Sequence, residues 1–163
     1  MLLLPADLVT AICGRLEAGV VRQLGASLGK QAGTRIRSRL AQVSTPSLEV
    51  MVDQLGGELS LAGFGSLSVE RWGQALVARV SGYPLAGQGQ ELLGGYFEGA
   101  LQTAVEREVT ALPLERSEQA LRFLLCGKAA SSTVKGWLLG GASWADALAS
   151  LQGAKNGAIG ARV

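Results

Sequence analysis

Histidine is absent from this sequence of 163 residues, and its two cysteines, Cys13 and Cys126, lie far apart. Without histidine the chain lacks the usual general base, every Ser-His or Cys-His nucleophile pair and the commonest zinc ligand. The cysteine spacing indicates neither a disulfide nor a metal site, and it is typical of a reducing compartment. We therefore predict a protein that is not an enzyme, holds no metal and needs no cofactor.

Charge and long apolar runs are also scarce. The net charge is only +2, and aromatic residues do not alternate with the basic ones, so we predict no nucleic-acid binding. No uncharged run reaches the roughly 18 residues of a membrane span, and Pro5 and Asp7 interrupt the N-terminal leucines. We expect a cytoplasmic protein without a transmembrane segment. The basic stretch from Arg15 to Arg39 is a solvated helix face or a peripheral contact with an anionic partner or membrane.

Apolar residues, by contrast, are abundant for a chain of this length. They make up 48% of the sequence while charged residues make up 17%, and such an apolar surplus commonly goes into a subunit interface or an internal cavity. We predict one domain over residues 1–151, followed by a mobile tail over residues 152–163. We also expect the protein to form a homodimer.

Three glycines four residues apart stand out in "LGASLGKQAG", at positions 25, 29 and 33. A phosphate-binding loop would need glycine at position 24 and Ser or Thr at position 31, where the chain has Leu24 and Gln31. Residues spaced by four share one face of a helix, and glycine there lets another backbone come close. Gly95 and Gly99 repeat this spacing, so all five glycines are predicted to mediate close helix packing.

Apolar periodicity predicts an α+β fold in which long helices cover antiparallel strands. Helices are predicted over residues 7–17, from about 20 to 43, and from a cap at Thr45 to a stop at Gly56 or Gly57. A meander of two or three strands follows, beginning at Leu59 and Leu61. A second long helix over residues 88–105 precedes a hairpin formed by residues 109–114 and 121–126. One C-terminal helix, weakened at Gly140 and Gly141, is predicted to end the domain.

Several segments resemble the TRAPP small-subunit family of vesicle-tethering proteins and the related vinyl-4-reductase-type domains. The segments are "DLVTAICGRLE", "QLGASLGKQAGTRIRSRL", "ELLGGYFEGALQTAVEREV" and "ALRFLL", which fall within residues 7–126. The resemblance implies a TRAPP-like fold with an added C-terminal helix. It also implies a non-enzymatic, homodimeric scaffold whose internal apolar cavity can hold a lipid or another hydrophobic molecule. The alternative is a sensor or carrier of small hydrophobic ligands that acts on a separate effector.

Two departures from these families limit what the resemblance implies. Some tethering subunits carry an acyl chain on a cysteine after the first long helix, but "LAQVSTPS" has Ser44 and Thr45 there. The hydrocarbon-sensing relatives hold zinc with cysteines in the last hairpin, where this chain has Ala111, Pro113 and Leu121. Neither covalent acylation nor a zinc site is therefore expected.

The candidate site residues are aromatic side chains and one thiol. Each aromatic residue either packs in the core or an interface or lines an apolar cavity: Phe64, Trp72, Tyr83, Tyr96 and Phe97. Cys126 is the candidate reactive thiol because Gly127 and Lys128 follow it at a strand end. The C-terminal helix, with Trp137 and Trp144 seven residues apart, covers the sheet, closes the cavity or docks a partner. A reductase is the third hypothesis, but "GFGSLS" lacks the third glycine of a dinucleotide fingerprint.

Overall fold

The structure, a computed structural model, describes residues 6–41, 48–72, 75–84, 87–117 and 120–160. Within these ranges the chain forms six helices and four strands. In order, they are α1 (Ala6–Cys13), α2 (Ala18–Leu40), α3 (Leu48–Leu61), β1 (Ser66–Trp72), β2 (Ala75–Ser81), α4 (Gly89–Val105), β3 (Thr110–Arg116), β4 (Ala120–Cys126), α5 (Lys128–Leu139) and α6 (Trp144–Gly160). The predicted α+β class is confirmed.

The four strands form one antiparallel sheet in the order β1-β2-β4-β3. Successive side chains of a strand point to opposite faces, so each strand contributes to two apolar clusters. The larger cluster, which we call the first-face core, joins one face to α1, α2, α3 and α4 and includes Ala78, Val80 and Phe123. The smaller, second-face core joins Val77 and Leu124 to α5 and α6. The sheet therefore lies between two helical layers.

Helices α2 and α4 touch backbone to backbone. A Cβ atom placed on Gly25, Gly29 or Gly33 would overlap the carbonyl oxygen of Leu92, Tyr96 or Ala100, in that order. The reverse holds for Gly95 and Gly99, whose Cβ atoms would overlap the carbonyl oxygens of Arg22 and Ala26. Because the residue numbers of the contacting positions increase in the same direction on α2 and α4, the two helices run parallel. The five glycines thus lie at one continuous helix contact, where a side chain on any of them has no room.

An arginine of α2 reinforces this contact. Arg22 donates hydrogen bonds to Glu98 of α4 (Nη2 to Oε1, 2.7 Å) and to Glu91 of α4 (Nη1 to Oε2, 3.0 Å). Its Nη2 group also donates to the carbonyl oxygen of Ala111 on β3, 3.0 Å away. Glu98 Oε1 in turn accepts a hydrogen bond from the Ala111 amide. One partly buried network therefore links α2, α4 and the sheet.

Helix α3 continues through the glycines that were predicted to end it. It reaches Leu61, so the interpretation of Gly56 or Gly57 as a stop is wrong, and Leu59 and Leu61 are helical instead of extended. Leu55 and Leu59, one turn apart, are both buried in the first-face core. Their burial offsets the roughly 1 kcal/mol that each helical glycine costs. The predicted cap at Thr45 and the predicted end of the preceding helix at Val43 lie outside the described residues.

The C-terminal region contains two helices where the sequence predicted one. Gly141 has a φ of +90°, a conformation that favours glycine and is not helical, so α5 cannot continue through this residue. Ser143 then caps α6, because its hydroxyl accepts a hydrogen bond from the Asp146 amide and donates one to the Asp146 carboxylate. The α5–α6 pair covers one end of the second face of the sheet, which was the first of the three roles considered for the C-terminal helix. Helix α6 continues past residue 152, where the tail was predicted to begin, and reaches Gly160.

We predict that Gly29→Ala destabilises the protein strongly. The new methyl group would overlap the Tyr96 carbonyl, so the α2 and α4 backbones would have to separate. We expect a loss of about 3 kcal/mol or more, the upper end of overpacking costs, measured by urea unfolding.

Gly57→Ala is the matched control, because Gly57 is also helical but nothing lies within 4 Å of its Cβ position. That variant should gain up to about 1 kcal/mol from helix propensity. A Gly29→Ala protein as stable as wild type would contradict the close contact.

Candidate functional site

The predicted aromatic residues do not form one group. Phe64, Tyr96 and Phe97 are buried in the first-face core, and Tyr83 packs against it. The Tyr96 ring meets Phe64 edge to face at 5.8 Å between centroids and Phe97 at 6.2 Å. Trp72 lies on the opposite face of the sheet, where it meets Trp144 at 5.0 Å. One cavity lined by all five residues is therefore incompatible with the fold.

Tyr96 combines deep burial with an unsatisfied polar atom. The residue is 2% exposed, and its hydroxyl forms no hydrogen bond with any described residue. Burial, and after it the nearby Glu58 carboxylate, raises the pKa of Tyr96 well above its ordinary value, while Arg35 opposes the shift. The hydroxyl therefore stays protonated and neutral in the folded protein at physiological pH.

Glu58 is a buried carboxylate at the contact between α3 and α2. It is 2% exposed and pairs with two arginines one turn apart on α2. Arg35 Nε donates to Glu58 Oε2 over 2.8 Å, and Arg39 Nη1 lies 2.8 Å from Oε1. Both arginine side chains are about half exposed, so the cluster opens to solvent on the arginine side only. Its geometry orients α3 on α2 and supplies no obvious nucleophile or proton donor.

A recess of about 180 Å³ lies on the second face at the C-terminal end of β4. Cys126 lines it together with Ala75, Leu124, Ala130 and Leu151. An engineered cavity of about 150 Å³ in another protein accepts benzene, whereas typical ligand pockets occupy roughly 300–1,000 Å³. The recess thus fits a benzene-sized molecule and is too small for a long acyl chain. Cys13 is different, since it is buried in the first-face core and burial raises its pKa.

Five large apolar side chains are exposed on the first two helices. Leu8 and Ile12 lie one turn apart on α1, and Val20, Leu24 and Leu28 follow each other by single turns on α2. Their exposed fractions range from 38% to 46%. We call this set the α1–α2 surface. The exposed residues beside the row on α2 are Gln23, Ser27 and Gln31, all uncharged.

The α1–α2 surface faces away from the core. On α1, Val9 and Cys13 contact the core, whereas Leu8 and Ile12 are exposed. That helix ends at Cys13 and not at residue 17. On α2, Leu24 and Leu28 flank the glycine face and are both exposed. The missed signal was the width of the apolar arc on α2, which exceeds what one contact with α4 covers.

Comparison of the sequence with known proteins leaves the resemblance untested. No family model matches it. No curated protein matches it either. Within the described ranges, no helix is long and apolar enough to cross a bilayer, and no three Cys, Asp or Glu residues are grouped as metal ligands.

We predict that Tyr96→Phe stabilises the protein by about 1 kcal/mol at pH 7. The change removes a buried hydroxyl that has no partner among the described residues, and an unsatisfied polar group of this kind costs about 1–3 kcal/mol. The difference in stability between Tyr96→Phe and wild type should grow above pH 10. There the unfolded state of the wild type loses the phenol proton that the folded state keeps, so wild-type stability falls as pH rises.

Urea unfolding at several pH values from 7 to 11 would measure this difference. Tyr83→Phe is the control, because Tyr83 is the other tyrosine and is only partly buried. A loss of stability in Tyr96→Phe would show that the hydroxyl makes a favourable interaction.

Proposed function

We propose that this protein is a non-enzymatic interaction module that self-associates through the exposed apolar row of α2. The exposed row of Val20, Leu24 and Leu28 carries the proposal. The role agrees with the resemblance to TRAPP small subunits, which implies homodimeric scaffolds. On this view the dimer is the form that engages further protein partners.

The shape and chemistry of the row support a subunit contact. Leu28 follows Val20 by eight positions, so the row extends over about 12 Å along the helix axis. The uncharged neighbours Gln23, Ser27 and Gln31 fit the depletion of charge at the centre of interfaces. In a two-fold contact the same surface of both protomers is buried, so each leucine is present in two copies. Two leucines therefore contribute four side chains, and because each is only 38% to 39% exposed in the monomer, its burial gains about 0.6–1.2 kcal/mol.

We predict that the double variant Leu24→Gln, Leu28→Gln weakens dimerisation by about 100-fold or more. That factor corresponds to about 2.7 kcal/mol, which lies within the roughly 2.3–4.6 kcal/mol that burial of the four leucine side chains in a dimer provides. Native mass spectrometry and light scattering over a range of concentrations would measure the dissociation constant. Glutamine keeps the helix propensity, so the variant should remain folded by circular dichroism.

Leu61→Gln, Leu139→Gln is the matched control, because these leucines are 70% and 81% exposed at other places on the surface. The control should dimerise like wild type. A monomeric wild type, or a double variant that dimerises with unchanged affinity, would contradict the proposal.

The recess beside Cys126 favours a second candidate function. On this alternative the protein senses or carries a small apolar molecule and transmits its presence to a separate effector. The lining residues Ala75, Leu124 and Leu151 supply apolar contacts, and Cys126 reports on occupancy because its side chain is partly exposed. The recess volume restricts the ligand to about the size of benzene.

We predict that toluene slows the reaction of Cys126 with the disulfide reagent DTNB several-fold. Cys126 should account for the fast phase, which Cys126→Ser removes, whereas buried Cys13 should react only on unfolding. Ala130→Leu fills part of the recess and should abolish the toluene effect. A rate that toluene leaves unchanged, or that it lowers equally in Ala130→Leu, would contradict ligand binding at this place.

A further inference from the structure

The second face of the sheet is apolar only where α5 and α6 cover it. Ala75, Val77, Leu112 and Leu124 form that covered part. Towards the other end of the strands the same face carries polar side chains. Because side chains alternate along a strand, these are Ser66, Ser68 and Glu70 on β1, Arg79 and Ser81 on β2, and Arg122 on β4. All of them are exposed or partly exposed.

Two arginines lie directly opposite each other on this polar end. Arg79 of β2 pairs in register with Arg122 of β4. Both point away from the first-face core, since Ala78 and Val80 flank Arg79 and belong to that core. Like charges at directly opposite positions destabilise a sheet, so this arrangement needs compensation from neighbouring groups.

Arg122 has that compensation. It forms an ion pair with Glu115 of β3, its Nε lies 3.6 Å from Glu70, and its guanidinium lies 5.4 Å from the centroid of the Trp144 ring. Two carboxylates and one aromatic face therefore surround the Arg122 charge.

Arg79 has no comparable partners within the described chain. Its Nε is buried and forms no hydrogen bond, and its guanidinium forms no ion pair with a described residue. Glu70, diagonal to Arg79 across the β1–β2 pair, contacts Arg122 instead. From the cross-strand rule we expect the uncompensated pairing of Arg79 with Arg122 to cost stability. Natural sequences keep such local conflicts mainly at functional positions.

We propose that Arg79 binds the carboxylate of a small organic acid on this polar end of the sheet. A guanidinium offers a planar fork of N–H donors that matches a carboxylate in two parallel hydrogen bonds. Ser81, on the same face of β2, is the neighbouring hydroxyl donor, because the Ser68 hydroxyl already donates to the Arg79 carbonyl oxygen over 3.4 Å. Glu70, diagonal to Arg79 across the β1–β2 pair, places a negative charge beside the site, which repels a dianion more than a monoanion. The site therefore favours a carboxylate over a phosphate.

The test is a titration of the ¹⁵N-labelled protein with sodium acetate, followed by NMR of the arginine Nε–Hε groups and the backbone amides. Sodium chloride and sodium phosphate at equal ionic strength are the comparisons. Arg79→Gln identifies the Arg79 resonance and removes the donor fork. Arg107→Gln is the charge control. Arg107 is an exposed residue that follows the end of α4, and its substitution changes the net charge by the same amount as Arg79→Gln.

We expect the Arg79 resonance and the Ser68 and Arg122 amides to shift saturably with acetate in wild type and in Arg107→Gln. The apparent affinity should fall about tenfold or more in Arg79→Gln, the loss expected for a charge-assisted hydrogen-bonded pair. Without acetate, Arg79→Gln should unfold at a higher temperature than wild type. Shifts that are equal in chloride, equally strong binding of phosphate, or binding that survives in Arg79→Gln would each overturn the proposal.

Discussion

The backbone contact between α2 and α4 sets the spacing on which the rest of the protein depends. Carbonyl oxygens of each helix occupy the positions where Gly29 and its equivalents have no side chain, so the helix axes come closer than side-chain packing would allow. Because the helix axes are close, the Arg22 side chain reaches Glu91 and Glu98 across α4. Its Nη1 group lies next to Gly94, where a side chain would obstruct it. Through Ala111, the same network fixes β3 relative to both helices.

A helix that packs through glycine uses little of its own apolar side-chain area. The first-face core is filled mainly by α4 and the strands, with Phe97, Tyr96 and Phe123 in ring contact. The leucines of α2 at positions 24 and 28 are consequently left on the outside, where they extend the exposed row that begins at Val20. The apolar surplus of the composition is thus visible as a surface, which supports an interaction role more directly than an internal cavity does.

The two faces of the sheet differ in how completely helices cover them. Four helices contribute to the first-face core, whereas the short α5–α6 pair covers one end of the second face. The polar remainder keeps Arg79 and Arg122 side by side and partly exposed. Dimerisation and carboxylate binding would therefore use opposite sides of the molecule, and neither requires the other.

The spacing of residues along the sequence was enough to indicate those elements that depend only on neighbouring residues. Glycines four residues apart indicated the contact face of α2, and alternation indicated β1 and β2 but also placed a strand at Leu59 and Leu61, which are helical. Long-range contacts fixed the rest. Leu55 and Leu59 keep α3 helical through Gly56 and Gly57, and packing on the sheet separates α5 from α6 at Gly141. Nothing in the spacing of Trp72 and Tyr96 shows that the sheet divides them, or that Arg79 faces Arg122, because strand order and register are properties of the assembled sheet.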